Sequence, residues 1–494
     1  MKKIFLFLVV TLMGIMANAQ NPQDEIDYNY SGKWKGELTI ETVQLPLVFD
    51  IGRYAEHECS VFIDSPSQGA YRIEGEGSID DNKIEIKIPS INASFSGINL
   101  DNRKITGTFS QNGVELPLDL QIYENYCGGF EGPTSQLMPS WRELYEYLPI
   151  INKGGQPQKP LVGKLKLVMR HGRVLKPKQE LREVRFTHDS ITLAGTLALP
   201  KNREKPVTAV ILISGSGTQD RDESILGLKP FKDISDELVR KGFAVLRYDD
   251  RGAGQSSPLK GNETTFDFAR DAQAAFDYLM TVDEIDHSRI GYIGHSEGAS
   301  IAFINAASDK RVAFVISLGG PGVKGSDLMV QQNISLLDMH GLQCTPEQKQ
   351  ELADIFESIA QINDTEKLRN TLREKMKKST LQSYTDEQIE MQVNAMTSPW
   401  YMEWIRFDPA PYLKKITCPL LALNGEWDFQ VDAYQNLEAI ATNKEDATCL
   451  IVPYHNHMFQ ESRLKDESMD YGALGNISYS TLYAITTYIR HIKK

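Results

Sequence analysis

From Pro206 onward the chain alternates near-continuous apolar runs with amphipathic helical stretches, and few architectures can absorb that rhythm. "TAVILISG" is followed by a helical "FKDISDELVRKG", then "FAVLRYD", "FDFARDAQAAFDYLMT", "RIGYIG", "SIAFINAASD", "VAFVISLGG", "PLLALNG", "YQNLEAIATN" and "TCLIVPY". Strands that are apolar on both faces must be covered on both faces, and intervening helices of this length are crossovers. The expectation is an α/β fold with a doubly wound, mostly parallel sheet.

One stretch interrupts the alternation. Residues 326–408 contain helix-like segments such as "DLMVQQNISLLDMHG" and "TPEQKQELADIFESIAQI", end in "SPWYMEWIRFDP", and offer no convincing strand. A helical insertion rich in Met and aromatics, placed between two sheet strands, is expected to cap the carboxyl edge of the sheet and line a pocket there.

The region before this domain reads differently. Between residues 27 and 125, runs such as "WKGELTI", "LPLVFDI" and "KIEIKI" alternate apolar with polar side chains and are separated by turn residues, including Asp80-Asp81-Asn82 and Asn112-Gly113. That pattern predicts an antiparallel sandwich or barrel. Asp64 and His57 read as a turn carboxylate and a surface histidine. Residues 126–181 read as a linker region, with "SWRELYEYLP" a short helix and "NKGGQPQKP" a flexible connector. "REVRFTHDSITLAGTLALP" reads as a β-hairpin opening the last domain, residues 182–494.

The N-terminus looks like a leader, residues 1–19. Lys2 and Lys3 precede an apolar run from Ile4 to Ala17, and Ala17-Asn18-Ala19 has the form of a secretory cleavage site. The run is short for a bilayer span. Export, to the periplasm or beyond, is therefore expected, with no membrane span left in the mature chain. Five cysteines are too scattered for a disulfide scaffold, and none stands in a C-x-x-C pair. A net charge of −13 argues against nucleic acid as a partner.

The strongest chemical signal is Gly294-His295-Ser296-Glu297-Gly298, which lies between a predicted strand and a predicted helix. In that context G-x-S-x-G is a nucleophile elbow, with the serine hydroxyl raised above the sheet at a helix N-terminus. Such a serine needs a base and an acid to orient it, following in the chain order Ser, acid, His. Asp428 lies in the loop after "PLLALNG" and is the preferred acid. Glu426, nearer the strand, and Asp432, which opens the next helix, are its competitors. "IVPYHNHMFQ" supplies two candidate bases, His455 and His457, between which sheet geometry does not choose. A metal role for them lacks partners with ligand spacing. Backbone N–H donors for an oxyanion are expected at Glu297 and, in "ISGSGTQDRD", at Ser216. A phosphate-loop reading of that segment fails because no Gly-Lys-Ser/Thr follows, and Gly252-Ala253-Gly254 reads as a structural turn.

Taken together, "ISGSGTQDRDE", "AVLRYDDRGAGQSS", "IGYIGHSEGAS", "NGEWDFQV" and "NHMF" resemble bacterial α/β-hydrolase esterases with a serine-aminopeptidase-like domain. The resemblance covers roughly residues 182–490. It implies Ser296 as nucleophile, Asp428 as acid and, through the N-H-x-F segment, His457 rather than His455 as base. It also implies hydrolysis of small carboxylic esters without a cofactor or metal. Two other readings remain, a serine aminopeptidase or amidase on the same machinery and a binding protein with a decayed hydrolase domain. The acyl group, the alcohol and the oligomeric state are not legible.

Overall fold

The computed structural model describes residues 32–122 apart from short gaps, the segments 145–148 and 162–165, and residues 178–492 apart from positions 202, 382, 463–467, 469–470 and 472–475. The leader at 1–19 and His57 lie outside the described residues, as does most of the 126–181 region.

Eight strands form a closed antiparallel barrel: β1 (Gly32–Ile40), β2 (Val43–Arg53), β3 (Glu58–Ser65), β4 (Ala70–Asp80), β5 (Lys83–Ile88), β6 (Ala93–Asn99), β7 (Lys104–Gln111) and β8 (Val114–Ile122). Each pairs with its neighbour in sequence, and closure comes from Trp34 of β1 opposite Ile122 of β8. The alternation in the sequence becomes inside and outside. Trp34, Phe49, Ile84, Phe95 and Leu120 are buried in the lumen, so the barrel is filled by its own side chains. Asn112 and Gly113, both at positive φ, make the two-residue turn that joins β7 to β8.

The second sheet has ten strands. They are β9 (Tyr145–Leu148), β10 (Val162–Leu165), β11 (Gln179–His188), β12 (Ile191–Pro200), β13 (Val207–Ile213), β14 (Ala244–Tyr248), β15 (Ile285–His295), β16 (Val315–Leu318), β17 (Leu420–Gly425) and β18 (Thr448–Val452). Their spatial order is β11-β12-β14-β13-β15-β16-β17-β18-β10-β9. The run from β14 to β10 is parallel, while β11 and β12 form the expected hairpin and β9 is antiparallel at the far edge.

Alternate residues of β13 explain the two-sided covering. Ala209, Ile211 and Ile213 pack with helices Thr265–Leu279, Glu297–Ser308 and Ala433–Asn443, whereas Val210 and Leu212 pack with Pro230–Arg240 and Tyr479–His491. Full burial of each such aliphatic side chain contributes about 2 kcal/mol relative to exposure.

Two readings need correction. Residues 145–148, expected in a short helix, form β9, and residues 162–165 of the supposed linker form β10 against the sheet strand β18. Strands of four residues carry too little alternation to be separated from a helix by sequence, and pairing with a partner nearly 290 positions away overrides local preference.

Between β16 and β17 the chain leaves the sheet; before a last short helix, Ala410–Leu413, come five longer ones, Gly325–Met339, Pro346–Gln361, Thr365–Lys377, Asp386–Met396 and Pro399–Arg406. They share a core built on Leu352, Ile355, Phe356, Leu368, Leu372 and Val393. Three begin at threonine or serine caps whose side chains accept from the third residue of the helix, which fixes where each starts.

Candidate active site

The order of strands changes direction at β13. The chain steps from β13 to β14 on one side, then crosses to β15 on the other, so the loops after β13 and β15 part and leave a crevice at the carboxyl edge. Ser214–Gly217 follow β13, and Ser296 follows β15.

Ser296 sits at φ 53 and ψ −119 as the residue before helix Glu297–Ser308. A left-handed φ is costly for serine and is held only because the surroundings over-determine it. The close quarters are visible at the flanking glycines. A Cβ on Gly294 would fall 2.1 Å from the Gly298 carbonyl oxygen, and one on Gly298 would fall 2.2 Å from that of Ile213. The Ser296 N–H donates to the Leu318 carbonyl of β16 at 2.9 Å.

The histidine and acid come from the next loops along the sheet. His457 Nδ1 donates to Asp428 Oδ2 at 2.7 Å, and Asp428 Oδ1 accepts the N–H groups of Gln430 and Val431 at 2.9 Å each. Asp428 is thereby fixed as an acceptor, and His457 is left with Nε2 as its free basic nitrogen. A Cβ on Gly319, one residue past the Leu318 carbonyl that holds Ser296, would lie 3.1 Å from the His457 ring. His457 and Ser296 line the same cavity, although no hydrogen bond joins Ser296 Oγ to the imidazole. Such contacts are often long in the unliganded state and tighten around substrate.

The competing residues are placed elsewhere. Glu426 accepts from the Tyr454 N–H, and Asp432 accepts from the Gln435 N–H at 2.7 Å as the cap of its helix. His455 is wholly buried rather than a polar loop residue. Its Nδ1 donates to the Pro453 carbonyl at 2.6 Å, its Nε2 has no partner among the described residues, and burial pushes it down to about 4. It is a neutral, structural imidazole.

Among the described residues, the backbone N–H groups of Ser216 and Glu297 donate no hydrogen bond, and Ser216 lines the cavity. Two groups shape the loop that carries Ser216. Asp250 Oδ2 accepts from Ser214 Oγ at 2.8 Å and from the Gln219 N–H at 3.1 Å, and Asp249 takes a bidentate contact from Arg221. Gly254 is a structural turn, as expected, because a Cβ there would collide with Asp249 Oδ2.

Sequence reasoning missed two features here. The Glu297 side chain is buried and accepts from Thr265 Oγ1 at 2.6 Å and from Trp400 Nε1 of the cap at 3.0 Å. Burial pushes its carboxyl above the ordinary range, opposed by hydrogen bonds from Thr265, Trp400 and Ser216. His295 Nδ1 meets Glu223 Oε1 at 2.8 Å, with both residues buried beside the cavity. Neither glutamate stands at a spacing that announces its partner, and His295 occupies a variable position of its motif.

The cavity itself measures about 120 Å³. Its roof and walls are mostly apolar, with Leu328, Met329, Trp404, Phe429 and Met458 prominent, and Trp400 and Trp404 stack at 6.2 Å. Among the described residues no group of three or more His, Cys, Asp or Glu is arranged to hold a metal, and no helix is long and apolar enough to cross a membrane.

A sequence profile of the alpha/beta hydrolase fold matches residues 208–464. Esterase EstD of Thermotoga maritima is 25% identical over 288 residues, which is 58% of this chain and 62% of EstD. The uncharacterized protein PA2218 of Pseudomonas aeruginosa is 32% identical over 145 residues, 29% of this chain and 38% of that protein. In both, the match spans less than two thirds of the relative's own length. Among solved structures, that of the hypothetical protein PA2218 aligns with a TM-score of 0.41 at 20% identity, covering 64% of this chain and 94% of the other.

Proposed function

Because this chain belongs to the α/β-hydrolase family, we propose that it is an exported serine esterase that cleaves small carboxylic esters through an acyl-enzyme. Ser296 attacks the ester carbonyl, and His457 Nε2 takes its proton and returns it to the departing alcohol. Asp428 holds the imidazole and stabilises its charged form. The N–H groups of Ser216 and Glu297 receive the oxyanion. Water then repeats the sequence on the acyl-enzyme and releases the acid.

One observation carries this reading: a serine held at left-handed φ in a mostly apolar cavity that also receives the Asp428-bound imidazole. A cavity near 120 Å³ suits a short acyl chain or a single ring. An ester is favoured over an aminoacyl substrate by the charges in the cavity wall. Glu223 is the one carboxylate among its described lining residues, and it is already engaged by His295 and the Gly215 N–H. Its Oε1 is committed to those two groups, and among the described lining residues no second carboxylate joins it to hold a free α-amine. Export rests on the leader-like residues 1–19.

Ser296→Ala tests the proposal. Turnover of short nitrophenyl esters should fall by on the order of 10⁴ to 10⁶, and labelling by a fluorophosphonate should vanish while the melting temperature holds. Wild-type turnover in that variant would end the reading. Aminoacyl-nitroanilides cleaved faster than the esters would redirect it to a peptidase.

A further inference from the structure

A second histidine lies against the first. The rings of His295 and His457 have centroids 4.7 Å apart, and both side chains are buried. The surroundings of His295 determine its charge. Its Nε2 lies 3.1 Å from the main-chain carbonyl oxygen of His457, which can only accept. Its Nδ1 lies 2.8 Å from Glu223 Oε1, which also accepts the Gly215 N–H at 2.7 Å. Both ring nitrogens therefore face acceptors. An imidazolium at position 295, facing a Glu223 carboxylate, donates to both acceptors at once.

The pair touches every moving part of the proposed mechanism. Glu223 holds the N–H of Gly215, whose neighbour Ser216 offers an oxyanion donor. His295 directly precedes Ser296, and its Nε2–H grips the backbone of His457. Glu223 adopts φ 52, uncommon for a residue with a side chain, and its Oε2 is buried without a partner among the described residues. A buried, half-satisfied carboxylate is tolerable only beside a countercharge.

We propose that Glu223 and His295 form a second, charged acid–imidazolium pair beneath the cavity, a positioning pair that fixes the oxyanion loop and the His457 loop around Ser296. This rests on the serine-hydrolase reading. It predicts sensitivity to alkali of a defined origin. When His295 loses its proton, the remaining N–H stays with the Glu223 carboxylate, Nε2 turns acceptor against the His457 carbonyl oxygen, and the link between the loops fails. The titratable groups facing His295 are Glu223 from the loop after β13, Asp428 from that after β17 and His457 from that after β18. Burial works to lower the affinity of His295 for its proton. The charge and hydrogen bond of Glu223, the His457 carbonyl and the charge of Asp428 outweigh it, so the proton is held above the usual histidine range. Without Glu223 the proton leaves at lower pH.

The test compares wild type with Glu223→Gln, which keeps the shape and removes the charge. Turnover of a nitrophenyl ester is followed from pH 6 to 10, with fluorophosphonate labelling in parallel. In the variant, kcat should fall ten- to hundredfold with KM within threefold, and the alkaline limb should move down by a pH unit or more. Separately, ¹⁵N spectra of histidine-labelled wild type, assigned with His295→Gln, should show an imidazolium at position 295 at pH 7. A variant matching wild type in kcat and in its alkaline limb, or a neutral His295 ring at pH 7, overturns the pair. The spectra decide the charge even if Glu223→Gln does not fold. A wild-type protein that fails to label brings down the hydrolase reading and the positioning role with it.

Discussion

Gly298→Ala sets two local effects against each other. Gly298 is the second residue of helix Glu297–Ser308, where alanine is favoured over glycine by at most about 1 kcal/mol. The added Cβ would lie 2.2 Å from the Ile213 carbonyl oxygen and 2.6 Å from that of Ser214. An ordinary contact needs about 3.4 Å, so helix and strand must separate by roughly 1 Å. The strand cannot yield cheaply, because β13 is hydrogen-bonded to β14 on one side and β15 on the other. Backbone against backbone leaves no rotamer to give way, which places the cost near the upper end of overpacking, about 3 kcal/mol. The balance is a loss of about 2 kcal/mol. The helix N-terminus moves instead, carrying Ser296 and the Glu297 N–H away from Ser216. A displacement of that size costs on the order of 10² in rate. Melting curves and kcat/KM on the same preparation test both numbers. A variant as stable as wild type, with kcat/KM within threefold, would refute the reasoning.

Two further predictions concern the histidines. Asp428→Asn should lower kcat by about 10⁴ with the fold intact, because the amide can present its N–H to Nδ1 and reverse the tautomer; ester turnover and a melting curve check it. His455 is held neutral at about 4 in the folded protein, below its unfolded value. Stability should therefore be full above about pH 6.5 and fall as the pH drops toward 4, by about 3 kcal/mol, because the unfolded chain takes up a proton that the folded one refuses. In urea titrations at pH 7, 5.5 and 4.5, His455→Gln should lack this component. An equal acid loss in the variant would contradict the assignment.

How much of this the sequence revealed depended on the range of the forces involved. The parallel sheet was legible because continuous apolar runs have no other stable home, and the elbow because its two glycines answer a steric demand within five residues. Asp428 was separable from Asp432 because a helix-capping role for the latter can be read locally, and the Asp432 hydrogen bond to the Gln435 N–H bears that role out. Choosing His457 over His455 required a family resemblance. The two differ in environment only after the chain folds, when one ring meets Asp428 and the other a nearby main-chain carbonyl. Glu223, His295 and Trp400 escaped notice for the same reason. Their partners are 72 and 103 positions away, and nothing in "DRDES" or "SPWYM" marks a residue that will be buried against a charge. The strands β9 and β10 were hidden by their brevity.

The placement of β10 has a consequence for how this chain can be divided. It lies parallel to β18, the strand from which the His457 loop springs, yet it precedes the hairpin that opens the hydrolase region. Excising the protein where its composition changes, near residue 182, would strip a neighbour from β18 and leave a row of bare peptide groups at the border of the sheet. Such a border invites pairing with another molecule. The folded unit of the hydrolase sheet therefore reaches back at least to Tyr145, into a segment whose sequence looks like a mere tether.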